Sequence, residues 1–324
     1  MEVFIGWITS AIIYGTVIML ASCGETLTER AGHLNLGVPG IMFVSGFSGY
    51  LVAYKIENLH NGFLTIVLPI LVSLLVGAIL GLLYSFMTVT VKCNQNVMGL
   101  ALTSFGVGMG KFLASANGIS DAKATFAGDL FNAKIPLLSD IPFIGDVIFG
   151  YGFMIYLTII ILVLCHLFLK KTRIGLNLKA VGESPQTADA TGISVSLYKY
   201  VATTIGCSLC GLAGIVYVLV FCNGLWATNN GIEGLGWLAV ALVIFASWKP
   251  IHLIWGSYLF GLLIWAYNVL PTLLNLPKFR GQAQLLEMLP YVVTIIVLII
   301  NSILKNRENQ PPASLGTAYF REDR

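Results

Sequence analysis

Few residues in this sequence have the type and spacing to do chemistry, and each candidate fails a physical requirement. The nearest approach to a phosphate-cradling loop is Gly106-Val107-Gly108-Met109-Gly110-Lys111. Its glycines are wrongly spaced, and Phe112 stands where such a loop needs Ser or Thr for magnesium. The run also lies inside an apolar stretch, so the chain carries no ATP site of its own. Cys207 and Cys210 form a C-x-x-C within the small-residue run TTIGCSLCGLAG. Close helix packing explains that pair better than redox or metal chemistry. The four histidines, His33, His60, His166 and His252, are too scattered for a metal set, and nothing resembles a hydrolytic nucleophile set. The reading is of a chain without catalytic residues, metal or cofactor, and not an enzyme.

What remains is a polar interval at 170–199, KKTRIGLNLKAVGESPQTADATGISVSLYK, between two long apolar segments. Ser184 is a good N-cap, Pro185 suits the first helical position, and Gly192 ends the turn. That pattern predicts a helix of about two turns, too short to be stable alone in water. It needs something to dock against, which marks 170–199 as a docking element for a soluble partner. Gly182, Glu183, Ser184, Pro185, Ala188, Asp189 and Gly192 are its candidate coupling residues, with Glu183 and Asp189 placed to meet basic groups.

The elements that must hold this loop are membrane helices. The 324 residues are 57% hydrophobic and only 10% charged, with a mean hydropathy of +0.85. Soluble domains carry about 25% charged residues, so a water-soluble fold is excluded. A spanning helix takes about 20 apolar residues. Such stretches lie at 3–22, 36–54, 63–91, 97–116, 148–169, 200–221, 252–270 and 286–304, with a shorter one at 237–247 that either crosses or re-enters. The fold class is therefore an all-α polytopic membrane protein of about eight to ten transmembrane helices, one domain over 1–304 followed by a polar, exposed tail at 305–324.

Leu20-Ala21-Ser22-Cys23 looks like a lipoprotein cleavage box. However, the first basic residue is Arg30 and Glu2 sits where a positive charge belongs, so the first run reads as a retained helix. Gly24–Gly40 reads as a charged segment at the membrane surface or as part of a pore lining. Lys170, Lys171, Arg173, Lys179 and Lys199 place the docking loop in the cytoplasm. If 237–247 crosses, the tail is cytoplasmic and the N-terminus lies outside. The net charge of +3 gives no sign of nucleic-acid binding.

Ionisable side chains within the spans are nearly absent, and Lys111 and His166 lie towards span ends where they snorkel. An ion-coupled carrier would want buried carboxylate or histidine relays and a repeated half, and neither is visible. The polar residues inside the spans are neutral: Asn35, Ser45, Ser48, Thr103, Ser104 and Asn268. They either bond across helices or line a path for an uncharged polar solute.

TLTERAGHLNLGVPGIM, NQNVMGLALTSFGVG and GLNLKAVGESPQTADATGISV together resemble the permease family serving branched-chain amino acids, simple sugars and nucleosides. The closing PPASLGTAYFREDR is similar to the tail of the nucleoside branch, whose receptor is a basic-membrane-protein-type lipoprotein. The chain departs from the pattern at His33 and Pro39, where Val or Ile and Glu are more usual. The resemblance covers nearly the whole chain. It implies a permease subunit of an ATP-binding-cassette importer in the bacterial inner membrane, with 180–193 as its cytoplasmic coupling helix. The partners it implies are an ATP-binding cassette subunit, a second and distinct permease, membrane lipid and a substrate-binding lipoprotein delivering a nucleoside. Simple sugars or branched-chain amino acids are the alternative cargo on the same machinery.

Overall fold

In hydrocarbon every backbone N–H and C=O must be paired within its own segment, so the apolar runs become helices. A computed structural model describes residues 2–134, 149–227, 231–273, 288–304 and 309–320. The helices are α1 (Glu2–Arg30), α2 (Val38–Lys55), α3 (Gly62–Ser85), α4 (Gln95–Ala116), α5 (Thr125–Phe131), α6 (Phe153–Lys171), α7 (Arg173–Glu183), α8 (Pro185–Ala190), α9 (Val195–Val216), α10 (Ile232–Phe245), α11 (Pro250–Leu273) and α12 (Leu289–Leu304). π-helical turns at Phe86–Thr90 and Tyr217–Phe221 extend α3 and α9. All but α5, α7 and α8 correspond to predicted apolar stretches. Of them α1, α3, α4, α6 and α9 are long and apolar enough to cross a membrane by length and composition alone.

Helices α1, α2 and α9 form the centre: α9 lies against α1, α2 and α3, while α1 also packs on α10 and α11. Glycine permits the closest approaches, since a methyl group on Gly106 of α4 would sit 2.4 Å from the carbonyl oxygen of Gly40 in α2. Cys207 and Cys210 are buried free thiols in this packing, with Cys210 Sγ 3.4 Å from the Ala21 carbonyl oxygen. Outward faces expose Leu71, Leu75 and Ile79 on α3 and Ile160 and Leu164 on α6, as a surface in contact with hydrocarbon requires.

Four features differ from the sequence reading. First, α1 does not stop near Ser22 but runs for 29 residues, so 24–30 is helix and not a surface connector. Glu25 and Glu29 are buried in it, which overturns the expectation that the spans lack buried carboxylates. Each finds a donor that the linear sequence conceals: Asn35 N–H donates to Glu25 Oε1 at 3.1 Å, and the Trp248 indole N–H donates to Glu29 Oε2. Second, the short apolar segment starts earlier than expected, as α10 (Ile232–Phe245), and runs between the far end of α9 and the end of α1. The start of α10 lies beside Tyr217 near the far end of α9, where Gly231 N–H donates to the Tyr217 hydroxyl. Its other end reaches Ser247 and Trp248, whose carbonyls accept from Arg30 at the end of α1. Third, the connection after α4 contains α5 and a strand β1 (Ala122–Lys123), paired antiparallel with β2 (Leu225–Trp226). The expected stretch 117–145 is otherwise outside the described residues from 135 onward.

The fourth difference is the tail. Residues 309–320 were expected to be exposed, yet Pro312 and Ser314 are buried against the end of α7. Ser314 donates to the Gly182 carbonyl through both its N–H (3.0 Å) and its hydroxyl (2.6 Å).

Candidate functional site

The interval 170–199 folds as two helices rather than one. α7 starts at Thr172, whose hydroxyl accepts from Gly175 N–H at 3.0 Å. Its buried residues Gly175, Leu178, Val181 and Gly182 recur at helical spacing, so one face seals the helix onto the bundle while the other stays wet. α8 follows after a single residue. Ser184 occupies the N-cap with its hydroxyl accepting from Thr187 N–H at 3.4 Å, Pro185 is the first helical residue, and Gly192 turns the chain at φ +85°. The two-turn helix is thus present as its residues predict, and α7 is the part that the sequence reading missed. On its buried face only Leu178 and Val181 are large and apolar, too few to separate a helix from a loop in the sequence.

The candidate coupling residues divide into two groups. Pro185 and Ala188 are buried, and Ala188 joins Val181 and Val195 in a small apolar cluster that Tyr198 and Tyr319 also touch. These residues fasten α8 to the body. Glu183, Gln186, Thr187, Ala190, Thr191 and Gly192 are exposed and form the surface a partner would meet. Gln186 and Thr187 were not singled out in the sequence. Only the packed helix reveals which way its faces turn. Gly182 lies in a close backbone contact, because an added Cβ would sit 2.2 Å from the Arg30 carbonyl oxygen. Asp189 Oδ2 accepts from the Tyr319 hydroxyl at 2.9 Å, and Glu183 Oε2 accepts weakly from Ala313 N–H at 3.4 Å. The tail therefore straps the coupling segment.

The neutral polar residues of the spans do not converge on one cavity. Asn35 is buried, with its Oδ1 accepting from Gly37 N–H at 2.9 Å and its amide nitrogen 3.5 Å from Cys207 Sγ. Thr103 donates to the Leu36 carbonyl at 2.7 Å and Ser48 to the Val44 carbonyl at 2.8 Å. Ser45 is buried with its hydroxyl unpartnered among the described residues, and Ser104 is exposed on α4. The side chain of Asn268 lies outside the described residues. Ser104, Gly108, Lys111 and Ser115 share one exposed face of α4 at helical spacing.

Between α1 and α2, His33 is buried with Nδ1 3.0 Å from the Thr203 hydroxyl. Burial, and secondly the nearby Lys199 charge, hold its pKa well below the usual imidazole value. Glu25 Oε2 and Glu29 Oε1 have no hydrogen-bond partner among the described residues. No group of three or more potential metal ligands occurs among the described residues.

Comparison with known proteins adds an independent line. The model of the family described as branched-chain amino acid transport system / permease component matches residues 7–298. A Lactococcus lactis protein named as the nucleoside ABC transporter permease NupC is 32% identical over 297 residues, covering 90% of this chain and 91% of its own. A Bacillus subtilis protein named as the guanosine ABC transporter permease NupQ is 28% identical over 292 residues, covering 90% of each chain. A Haloferax volcanii protein, TsgC13, assigned by its name to glucose ABC transport, is 34% identical over 258 residues, covering 80% of this chain and 75% of its own. No solved structure matches.

Proposed function

The chain belongs to the permease-component family of branched-chain amino acid transport systems, and from that membership we propose that it is the transmembrane subunit of an ATP-driven importer of nucleosides. On this reading 1–304 is one membrane domain that works with a second, distinct permease and with an ATP-binding cassette subunit docked on α8. A substrate-binding lipoprotein delivers the cargo. ATP binding closes the ATPase, and α8, fastened through Ala188 and Gly182, passes that movement to α1, α7 and α9. Such a bistable repacking of rigid helices needs the small-residue contacts that join α1, α2 and α9.

The observation that carries the proposal is α8 itself, a capped two-turn helix presenting Gln186, Thr187 and Ala190 from a lysine-rich connection. The cargo rests on the relatives named for nucleoside and guanosine transport, which align over nine-tenths of both chains. The relative named for glucose supports sugar import as the second reading. The exposed α4 face bearing Ser104, Gly108, Lys111 and Ser115 is the best candidate for the cargo path. A lysine on an outward helix face is costly against lipid and acceptable against water or a second subunit.

The test is to isolate the subunit from its native membrane in mild detergent, identify its companions, and measure uptake of labelled guanosine and glucose in cells carrying the assembled set. Recovery of an ATPase, a second permease and a lipoprotein, with guanosine uptake unaffected by excess glucose, is the expected result. Thr187→Arg, on the exposed face of α8, should abolish cargo-stimulated ATP hydrolysis with the subunit still assembled in the membrane. Recovery of the chain alone, with uptake independent of ATP, would overturn the proposal.

A further inference from the structure

A cavity of about 200 Å³ opens at the N-terminal end of α9, lined by His33, Lys92, Asp189, Ser194, Ser196 and Lys199 among others. Three observations about it converge. The N-terminus of the 22-residue α9 is uncapped, because Ser194 stands at the cap position but makes no side-chain bond to the helix. The first-turn N–H groups and the positive end of the helix dipole are therefore available there. One turn further on, Lys199 is only 2% exposed and lines the cavity, with no carboxylate in ion-pair range and no hydrogen-bond acceptor among the described residues. An ammonium in so narrow a recess without a counter-charge is expensive, and an anion brought into the cavity would meet it. Finally, Lys92 enters from the end of α3, its Nζ held 4.2 Å from the centre of the Phe320 ring.

Among the described residues, the charges facing the cavity have a positive excess. Lys92 and Lys199 bring two cations, and Asp189 brings one carboxylate, with Oδ2 already accepting from Tyr319. His33 is kept neutral by burial. Ser194 and Ser196 add hydroxyl donors. Uncapped helix N–H groups beside a lysine are the physical recipe for holding an anion. The volume lies below the roughly 300–1,000 Å³ of drug-sized sites, so a nucleoside does not fit and a small ion does.

We infer that this cavity is a binding site for a phosphate group, supplied either as the free ion or as an anionic lipid headgroup at the cytoplasmic face. An anion there would join the start of α9 to the α3–α4 connection and to the tail, all next to α8. It would stabilise the arrangement in which the coupling helix is strapped down. The site is separate from the proposed cargo path, and its test does not depend on transport.

The experiment uses the full-length subunit, purified in detergent and freed of lipid. Its thermal unfolding midpoint is followed while sodium phosphate is titrated against sodium chloride at equal ionic strength, alongside equilibrium binding of labelled phosphate. The expected result is a saturable rise, with binding weakened about tenfold or more by Lys199→Met. Lys92→Met, at a half-buried position that leaves the fold intact, should weaken it severalfold, and the distant Lys123→Met should not change it. A lipid source would show instead as stabilisation by phosphatidylglycerol-containing vesicles but not by free phosphate, lost in the same two variants. No response to either probe, or equal responses in wild type, Lys199→Met and Lys92→Met, would overturn the inference.

Discussion

Replacing Gly182 with alanine should loosen the strap that holds the coupling helix. The added Cβ would lie 2.2 Å from the Arg30 carbonyl oxygen, 3.0 Å from its carbon and 3.3 Å from Gly32 N, all backbone atoms that cannot rotate away. The first contact is roughly 1 Å short of van der Waals separation, so the end of α7 has to move by about that much. Overpacking of this kind costs about 1–3 kcal/mol. The same movement stretches the two Ser314 bonds to the Gly182 carbonyl, at 2.6 and 3.0 Å, and each carries about 1 kcal/mol. With both bonds lost the total is about 3–5 kcal/mol, concentrated where the tail meets α7. The assay pairs thermal unfolding in detergent with limited proteolysis of the tail after Pro312, and with cargo-stimulated ATP hydrolysis in the assembled complex. Gly182→Ala should lower the unfolding midpoint, expose the tail to protease and uncouple hydrolysis. Gly108→Ala, where an added Cβ meets nothing within 4 Å, should do none of these. Wild-type stability and tail protection in Gly182→Ala would refute the reasoning.

Trp248→Phe removes the indole N–H that donates to buried Glu29 and should cost about 1–3 kcal/mol, read as a lower unfolding midpoint, because Oε2 loses that hydrogen bond inside the bundle. His33 gives a pH dependence. Its folded pKa lies below the unfolded value of 6.5, so below pH 6.5 the unfolded chain binds a proton that the folded chain refuses, and stability falls as pH drops through that window. His33→Gln should flatten the stability–pH slope there by up to about 1.4 kcal/mol per pH unit. An unchanged slope would show that His33 titrates normally.

Buried carboxylates at Glu25 and Glu29 fix the end of α1 to its neighbours. Two residues one turn apart on α1 tie that helix to the 31–37 turn through Asn35 and to the α10–α11 turn through Trp248. The second turn carries Ser247 and Trp248 in the left-handed region at φ +54° and +56°, conformations that non-glycine residues rarely adopt. Arg30 holds both of their carbonyls. The end of α1 is therefore locked to α10 on one side and, through Gly182, to α7 and the tail on the other. Movement at α8 thus has a rigid route into the centre of the bundle.

The sequence alone determined the class of the molecule and the position of the short capped helix α8. Nine apolar stretches stand out because hydrocarbon forces each span to satisfy its own backbone, which makes hydropathy a local signal. Ser184, Pro185 and Gly192 mark α8 for a similar reason, since capping and left-handed φ are properties of a few neighbouring residues. Tertiary structure decided everything that depended on a distant partner. Glu25 and Glu29 look like surface charges until Asn35 and Trp248 supply their donors. α10 has no visible partners in the sequence until its two ends are seen to meet Tyr217 on one side and Arg30 on the other. The tail looks solvated until Ser314 finds the Gly182 carbonyl, which is 132 residues away in the chain. Lys199 counts in the sequence as one more cytoplasmic lysine. Only the fold buries it beside a cavity at an uncapped helix end, with no carboxylate in ion-pair range among the described residues.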